Sequence, residues 1–166
     1  MGCSQPEPEP TFPYFSEEGG RVRDMANVLS PSTEAALTAQ LDRAEQQFGQ
    51  QVGVVTVASL EGYPIEDFSL EYARAWKLGD AKRNDGLQIL IALNERKIRI
   101  EVGKGIERTF TDIYCKEVID MMTPYFRDGD FDAGVTVGVA ELVRHMEQYP
   151  SLPANDNRPA SQEKAA

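Results

Sequence analysis

The sequence has little of the chemistry on which histidine and cysteine sites depend. It contains one histidine, His145, and two cysteines, Cys3 and Cys115. A single histidine excludes a multi-histidine zinc site and argues against Ser-His or Cys-His catalysis. Two cysteines cannot form a disulfide framework. Cys115 is in helical phase with apolar residues, so we interpret it as a small core residue.

Long apolar runs and an excess of positive charge are also lacking. No apolar run approaches the length needed to span a bilayer. The 17 Lys and Arg residues are outnumbered by 27 Asp and Glu, which gives a formal net charge of −10. Repulsion from phosphate therefore argues against a nucleic-acid partner. An acidic surface suits a cation or a basic partner, or serves only solubility.

Both ends of the chain look unsuited to packing. Residues 5–10 alternate proline with glutamine or glutamate, a pattern that favours an extended spacer. Residues 149–166 are rich in Pro, Ala, Asn and Ser and show no apolar period. We therefore expect a disordered tether over 1–20, a folded domain over 21–148 and a disordered tail over 149–166.

The residues Gly-Cys-Ser at positions 2–4 resemble a bacterial lipoprotein junction, where a signal peptidase cuts before a cysteine that then carries lipid. The resemblance implies a lipid anchor at Cys3 and a place in the bacterial cell envelope, on the periplasmic side or the cell surface. The usual apolar signal segment does not precede this cysteine. The alternative is that Cys3 is an ordinary residue of a disordered tail.

Hydrophobic periodicity predicts four helices and three strands. The predicted order is a helix at 31–48, a strand at 52–58, a helix that stops at Gly79, strands at 87–93 and 97–102, a helix capped by Asp112 that runs to about residue 126, and a last helix that includes 135–146. The first two strands are apolar throughout, as in a buried parallel pair. The third alternates as a half-exposed antiparallel strand does. This order predicts a small mixed sheet with helices on both faces.

Two acidic residues bracket the predicted hairpin, Asp85 before its first strand and Asp112 after its second. The start of the first strand of a hairpin lies beside the end of the second, so we expect Asp85 near Gly103 and the loop leading to Asp112. Two carboxylates with loop carbonyls suit a hard cation such as Ca²⁺ or Mg²⁺. Alternatively, Asp85 belongs to a turn and Asp112 only caps a helix.

The opposite end of the sheet is a competing rim, because ligands of parallel α/β units bind beyond the strand C-termini. It holds Ser59, Glu61 and residues 94–95, which form no chemical set. The acidic segment 128–132 faintly resembles a Ca²⁺ loop. It lacks the downstream bidentate glutamate, so we interpret its aspartates as turn and helix-cap residues.

Short motifs follow one another in a definite order through the folded part. They read D-M-A-N-V-L-S-P at 24–31, V-V-T-V-A-S-L at 54–60, N-D-G-L-Q-I-L-I at 84–91, R-K-I-R-I-E-V-G-K-G at 96–105, T-D at 111–112 and F-R-D-G-D-F at 126–131. Over about residues 21–146 the chain resembles the TPM domain family. That family includes thylakoid-lumen proteins tied to photosystem II repair and bacterial envelope proteins. Lys104 departs from the pattern, where an aromatic residue is common.

The resemblance implies a three-layer α/β/α sandwich, Rossmann-like, built on a small mixed sheet. Calcium binding and weak acid phosphatase activity are attributed to some members. We therefore expect an envelope-tethered monomer that binds a divalent cation at Asp85 and Asp112 and interacts with a membrane-associated protein. One alternative is a weak metal-dependent phosphatase that uses Asp85 and Asp112 and acts on phosphomonoesters, with no catalytic residue assigned beyond these metal ligands. Another is a structural domain without a ligand.

Overall fold

A computed structural model describes residues 12–152, so the expected lipid anchor at Cys3 lies outside the described residues. The elements in chain order are β1 (Val22–Asp24), α1 (Pro31–Phe48), β2 (Gln51–Val57), α2 (Ile65–Trp76), β3 (Gly86–Ala92), β4 (Lys97–Val102), α3 (Asp112–Arg127) and α4 (Phe131–Gln148). Within this range no helix has both the length and the apolar character to cross a membrane.

The four strands form one mixed sheet in the order β1-β2-β3-β4. Strands β1, β2 and β3 are parallel, and β4 pairs antiparallel with β3. The β2–β3 and β3–β4 pairings are those that the sequence predicts. Strand β1 is an addition that the apolar pattern did not reveal. It has only three residues, of which Arg23 alone is buried, so it carries no hydrophobic alternation.

Helices cover both faces of this sheet. The larger apolar core lies under α1, α3 and α4 and includes Leu41, Ile89, Val118 and Leu142. The smaller core lies under α2 and includes Phe68 and Leu90. Successive strand residues point to opposite faces, which is why Ile89 and Leu90 belong to different cores. The predicted three-layer α/β/α architecture is therefore confirmed.

Helix α1 begins and ends as its sequence predicts, whereas α2 ends early. The Ser30 hydroxyl accepts a hydrogen bond from the Thr33 N–H, and Gly49 closes the helix at φ 98°. Helix α2 ends at Trp76, because Lys77 takes the left-handed conformation at φ 55° before the expected stop at Gly79.

Helix α3 corrects the expectation that Asp112 is its cap. The capping residue is Thr111, whose hydroxyl accepts a hydrogen bond from the Tyr114 N–H, and Asp112 is the first residue of the helix. Threonine and aspartate are both common at helix N-termini, so the pair Thr-Asp did not decide between neighbouring positions.

Residues 12–16 lie within the expected tether but pack against α2, and we call them the aromatic strap. Phe12 meets Phe68 edge to face at 5.0 Å, and Tyr14 stacks on Phe68 at 5.7 Å. The buried Arg23 guanidinium lies 4.8 Å from the Phe15 ring and 4.3 Å from Trp76, and it also donates to the Ser16 carbonyl. The ordered packing therefore extends eight residues before Gly20.

The other end of the described chain is also attached to the domain. The N–H groups of Ser151 and Leu152 donate to the Phe48 carbonyl at 2.8 and 3.0 Å. The Gln50 side chain donates to the Tyr149 carbonyl at 2.6 Å. Residues 149–152 thus close the C-terminal end of α1, although we expected the tail to begin there.

Candidate functional site

Asp85 is fully buried at the start of β3, with 0% of its surface exposed. One carboxylate oxygen accepts from the Asp80 N–H at 2.8 Å, and the other accepts from the Arg83 Nε at 2.8 Å. The hydrogen bond to Asp85 also raises the pKa of the Arg83 guanidinium. Both oxygens therefore have partners inside the loop, and an ion pair balances the charge.

The Asp80 side chain stabilises the loop that contains Asp85. The Asp80 carboxylate accepts from the backbone N–H groups of Lys82 and Arg83, both at 2.9 Å. These hydrogen bonds lower the pKa of Asp80. Asn84 then takes the left-handed conformation at φ 48° and returns the chain to β3. These hydrogen bonds hold residues 80–85 in a compact turn.

Glycines bring this loop against the chain that leaves β4. The Gly103 N–H donates to the Gly86 carbonyl at 2.8 Å, and the Gly105 N–H donates to the Asn84 carbonyl at 2.9 Å. A side chain on Gly105 would overlap the Arg83 carbonyl oxygen, and one on Gly103 would overlap that of Asn84. The structure thus has the expected neighbourhood of Asp85 and Gly103, and the glycines permit backbone-to-backbone contact.

Asp112 differs from Asp85 in its surroundings, since it is exposed on the first turn of α3. Within residues 12–152 no group of three or more His, Cys, Asp or Glu side chains is arranged to hold a metal ion. A cation beside Asp85 would have to displace Arg83. Metal binding by Asp85 and Asp112 stays a prediction, and the contacts of Asp85 give it a structural role.

A different set of carboxylates lies at the C-terminal end of the parallel strands. Asp24, the last residue of β1, accepts from the N–H groups of Val28 and Leu29 at 3.0 and 2.8 Å. It also accepts from the Thr56 hydroxyl of β2 at 2.6 Å. These bonds fix the carboxylate of Asp24 and tie the end of β1 to the segment before α1.

Asp132 and Glu34 complete this set, which we call the carboxylate cluster (Asp24, Glu34 and Asp132). Asp132 accepts from the Ser30 N–H at 2.9 Å, and this bond lowers its pKa. Burial raises the pKa of Glu34, and the nearby charges of Asp24 and Asp132 raise it further. No Lys or Arg of the described residues forms a salt bridge with any of the three.

Sequence reasoning did not find the carboxylate cluster because its members are far apart in the chain. Ser30 and Asp132, which join its two halves, are 102 positions apart. Asp130 does cap α4, since it accepts from the Ala133 N–H at 3.0 Å, as interpreted. The motifs at 24–31 and 126–131 were the available signal, because both halves of the cluster lie in or beside them.

The residues of the competing rim are engaged with each other. The Glu95 carboxylate accepts from the Leu60 N–H at 2.9 Å and from the Ser59 hydroxyl at 3.3 Å. The Leu60 bond is the main reason that the pKa of Glu95 is lowered. This contact ties the turn after β2 to the β3–β4 turn, while Glu61 is exposed at φ 51°.

The contacts of His145 give it a structural role. Its Nε2 lies 2.6 Å from the Thr109 carbonyl oxygen, and its ring stacks on Tyr114 at 3.8 Å. Its ring also meets Phe110 edge to face at 4.7 Å. The hydrogen bond and the rings attach the loop before α3 to the last turns of α4.

Cys115 is buried in the larger core as predicted, and burial raises the pKa of its thiol to about 11. At pH 8 only about one thiol in a thousand would then be ionised, so we expect iodoacetamide to leave Cys115 unmodified in the folded domain. Peptide mass spectrometry checks this, with a urea-unfolded sample as the control. Equal modification rates in the two samples would contradict it.

The motif order and the four-stranded mixed sheet both agree with a known protein family. The TPM domain family matches residues 22–145. This chain belongs to the TPM domain family. The match spans all the strands and most of α4, the last helix, so the resemblance implied by the motifs is confirmed.

Solved structures of similar proteins share the fold. The N-terminal domain of a P. gingivalis protein is 32% identical, with 81% of this chain and 87% of that chain covered and a TM-score of 0.71. The BA42 protein of the psychrophilic bacterium Bizionia argentinensis is 20% identical, with 79% and 91% covered and a TM-score of 0.65. An N-terminal domain from Corynebacterium glutamicum is 18% identical, with 94% and 93% covered and a TM-score of 0.61. The last two show the fold alone. No curated protein matches this chain.

Proposed function

We propose that this TPM domain is an envelope-tethered module that binds a divalent cation at the carboxylate cluster and interacts with a protein partner. The support for the cation is a set of carboxylates that form no salt bridge with any Lys or Arg of residues 12–152. Burial raises the pKa of Glu34 in this set, and the charges of Asp24 and Asp132 raise it further. Like charges held close together favour either a proton or a cation among them. The tether of the proposal rests on the lipoprotein-like residues around Cys3.

The chemistry of the cluster fits a hard cation. Carboxylate, hydroxyl and backbone carbonyl oxygens are the ligands that Ca²⁺ prefers. In the described residues the side chains of the cluster are not arranged to hold a metal ion, so they would have to rearrange around one. We therefore expect weak binding, with a Kd of about 10⁻⁴–10⁻³ M as in extracellular calcium modules.

The cluster is a better place for a cation than the pair Asp85 and Asp112. At Asp85 an incoming cation would compete with Arg83, which already lies 2.8 Å from the carboxylate. At the cluster no Lys or Arg of the described residues forms a salt bridge, and the donors to Asp24 are backbone N–H groups and the Thr56 hydroxyl. The two sites can be distinguished by experiment, because their residues lie at opposite ends of the sheet.

We expect millimolar Ca²⁺ to shift the amide NMR signals of residues near Asp24, Glu34 and Asp132 and to raise the Tm of the full chain. Glu34→Gln should weaken this response by threefold or more, because it removes one charged ligand. Glu117→Gln is the matched control, since Glu117 is an exposed glutamate on α3. Shifts confined to residues 80–86 and 103–112 would instead favour the site at Asp85.

The same variant should change the pH dependence of stability. The folded domain binds the Glu34 proton more tightly than the unfolded chain does, because the pKa of Glu34 is raised above 4.5. Stability contributed by that proton is present below pH 4.5 and is lost as the pH rises through the folded pKa. Glu34→Gln should remove this loss in metal-free buffer, and urea titrations at several pH values measure it.

A further inference from the structure

A groove of about 630 Å³ opens between the β3–β4 turn and the corner where α3 meets α4. Its apolar lining includes Ile98, Ile119, Phe126 and Phe131, all of them half-buried. The Phe126 and Phe131 rings stack at 5.3 Å and form one wall. This volume is within the range of about 300–1,000 Å³ of ligand pockets, and it suits one or two large side chains of a short segment.

The rim of the groove is basic on a chain whose net charge is −10. Arg96, Lys97 and Arg127 line it, and all three are exposed. Within the described residues none of them forms a salt bridge, whereas Arg21, Arg74 and Arg144 do. Three exposed cations around an apolar groove complement a ligand with an apolar body and negative charge.

Arg96 also has an unusual backbone conformation. It takes the left-handed conformation at φ 53° in the β3–β4 turn. Glycine or asparagine is preferred at such positions, because other side chains cost about 1–2 kcal/mol there.

We propose that the groove binds a short acidic peptide segment of the partner, with an aromatic or large aliphatic side chain in the apolar groove and carboxylates on Arg96, Lys97 and Arg127. The inference rests on the partner interaction of the proposed function. A short peptide fits better than an anionic membrane, since the apolar lining lies in a groove between the β3–β4 turn and the α3–α4 corner, which a planar surface does not enter.

The position of the groove also connects it with the carboxylate cluster. Phe131 lines the groove, and Asp132 of the cluster is the next residue along the chain. A cation at Asp132 would reduce the negative charge beside the groove. Acidic peptides should therefore bind more tightly in Ca²⁺ than in EDTA, and binding in EDTA tests the groove independently of the cation.

A random 12-residue phage-displayed library, selected on the full chain in EDTA, provides the test. We expect selected peptides to carry two or more Asp or Glu beside an aromatic or large aliphatic residue. Their synthetic, fluorescein-labelled versions should bind at least tenfold more weakly to Arg96→Glu/Arg127→Glu, as measured by anisotropy. The control Lys104→Glu/Arg108→Glu has the same net charge and lies outside the groove, so its Kd should stay within twofold of wild type.

Arg96→Gly makes the test sharper because its two effects have opposite signs. Relief of the left-handed strain should raise the Tm, while loss of the cation should weaken peptide binding threefold or more. Unchanged binding in Arg96→Gly and in the double variant would overturn the proposal, as would equal losses in the control. Selected peptides without acidic residues would also overturn it. The proposal would also be overturned if no peptide bound and the chain instead cosedimented with phosphatidylglycerol vesicles in a way that depends on Arg96 and Arg127. A Ca²⁺ titration that fails while peptides bind would overturn the cation site alone.

Discussion

Gly105→Ala is expected to destabilise this domain more than an alanine at any other described glycine. Its Cβ would overlap the carbonyl oxygen of Arg83, and it would lie 3.0 Å from that of Asn84. Neither neighbour is a flexible side chain, so the two loops must separate and lose the Gly105–Asn84 hydrogen bond. Overpacking typically costs about 1–3 kcal/mol, and a backbone clash should reach or exceed the upper end.

Urea unfolding followed by circular dichroism measures the effect, and the chain offers a matched control. A Cβ on Gly20 meets nothing within 4 Å. Gly20→Ala should therefore change the free energy of unfolding by no more than about 0.5 kcal/mol. Similar stabilities for the two variants would mean that the loops at Arg83 and Gly105 do not touch in solution.

Asp85→Ala should have the second largest effect, because it removes a buried carboxylate that holds its own loop. The Asp80 N–H and the Arg83 guanidinium both donate to Asp85 at 2.8 Å, and the variant would leave them without this partner. A hydrogen bond to a charged group contributes about 1.5–3 kcal/mol. For a domain of this size, the Tm should fall by roughly 3–15 °C.

Asp112→Ala is the natural comparison for Asp85→Ala. Asp112 is exposed on the first turn of α3, so its contribution is limited to the helix dipole, about 0.3–1 kcal/mol. Differential scanning fluorimetry with and without Ca²⁺ separates the roles. If Asp85→Ala kept the wild-type Tm but abolished the Ca²⁺ response, Asp85 would be a ligand and the structural role would be refuted.

The hydrophobic pattern predicts most of this fold, because its long elements carry strong periodicity. Strands β2 and β3 are apolar throughout, and β4 alternates, so both pairings follow from the sequence. Strand β1 could not be predicted this way, since only three residues pair with β2 and the buried one is Arg23. Its stability comes from tertiary contacts, which local patterns do not record.

The candidate sites were harder to predict than the fold. Hairpin geometry placed Asp85 near Gly103, but not the ion pair with Arg83, because the turn conformation at Asn84 decides where Arg83 points. The carboxylate cluster depends on α4 returning beside the start of α1. The aromatic strap escaped notice because Phe12 and Tyr14 lie next to a Pro/Glu-rich spacer whose composition is typical of disorder.

The aromatic strap also limits how far the domain could stand from an anchor. A chain spans at most about 3.3–3.6 Å per residue, so a leash from Cys3 to Arg21 would measure up to roughly 60 Å, and one from Cys3 to Phe12 about half as much. Phe12 and Tyr14 leave the domain over α2. If Cys3 carries the proposed lipid, the α2 side of the domain could lie no farther than about 30 Å from that anchor.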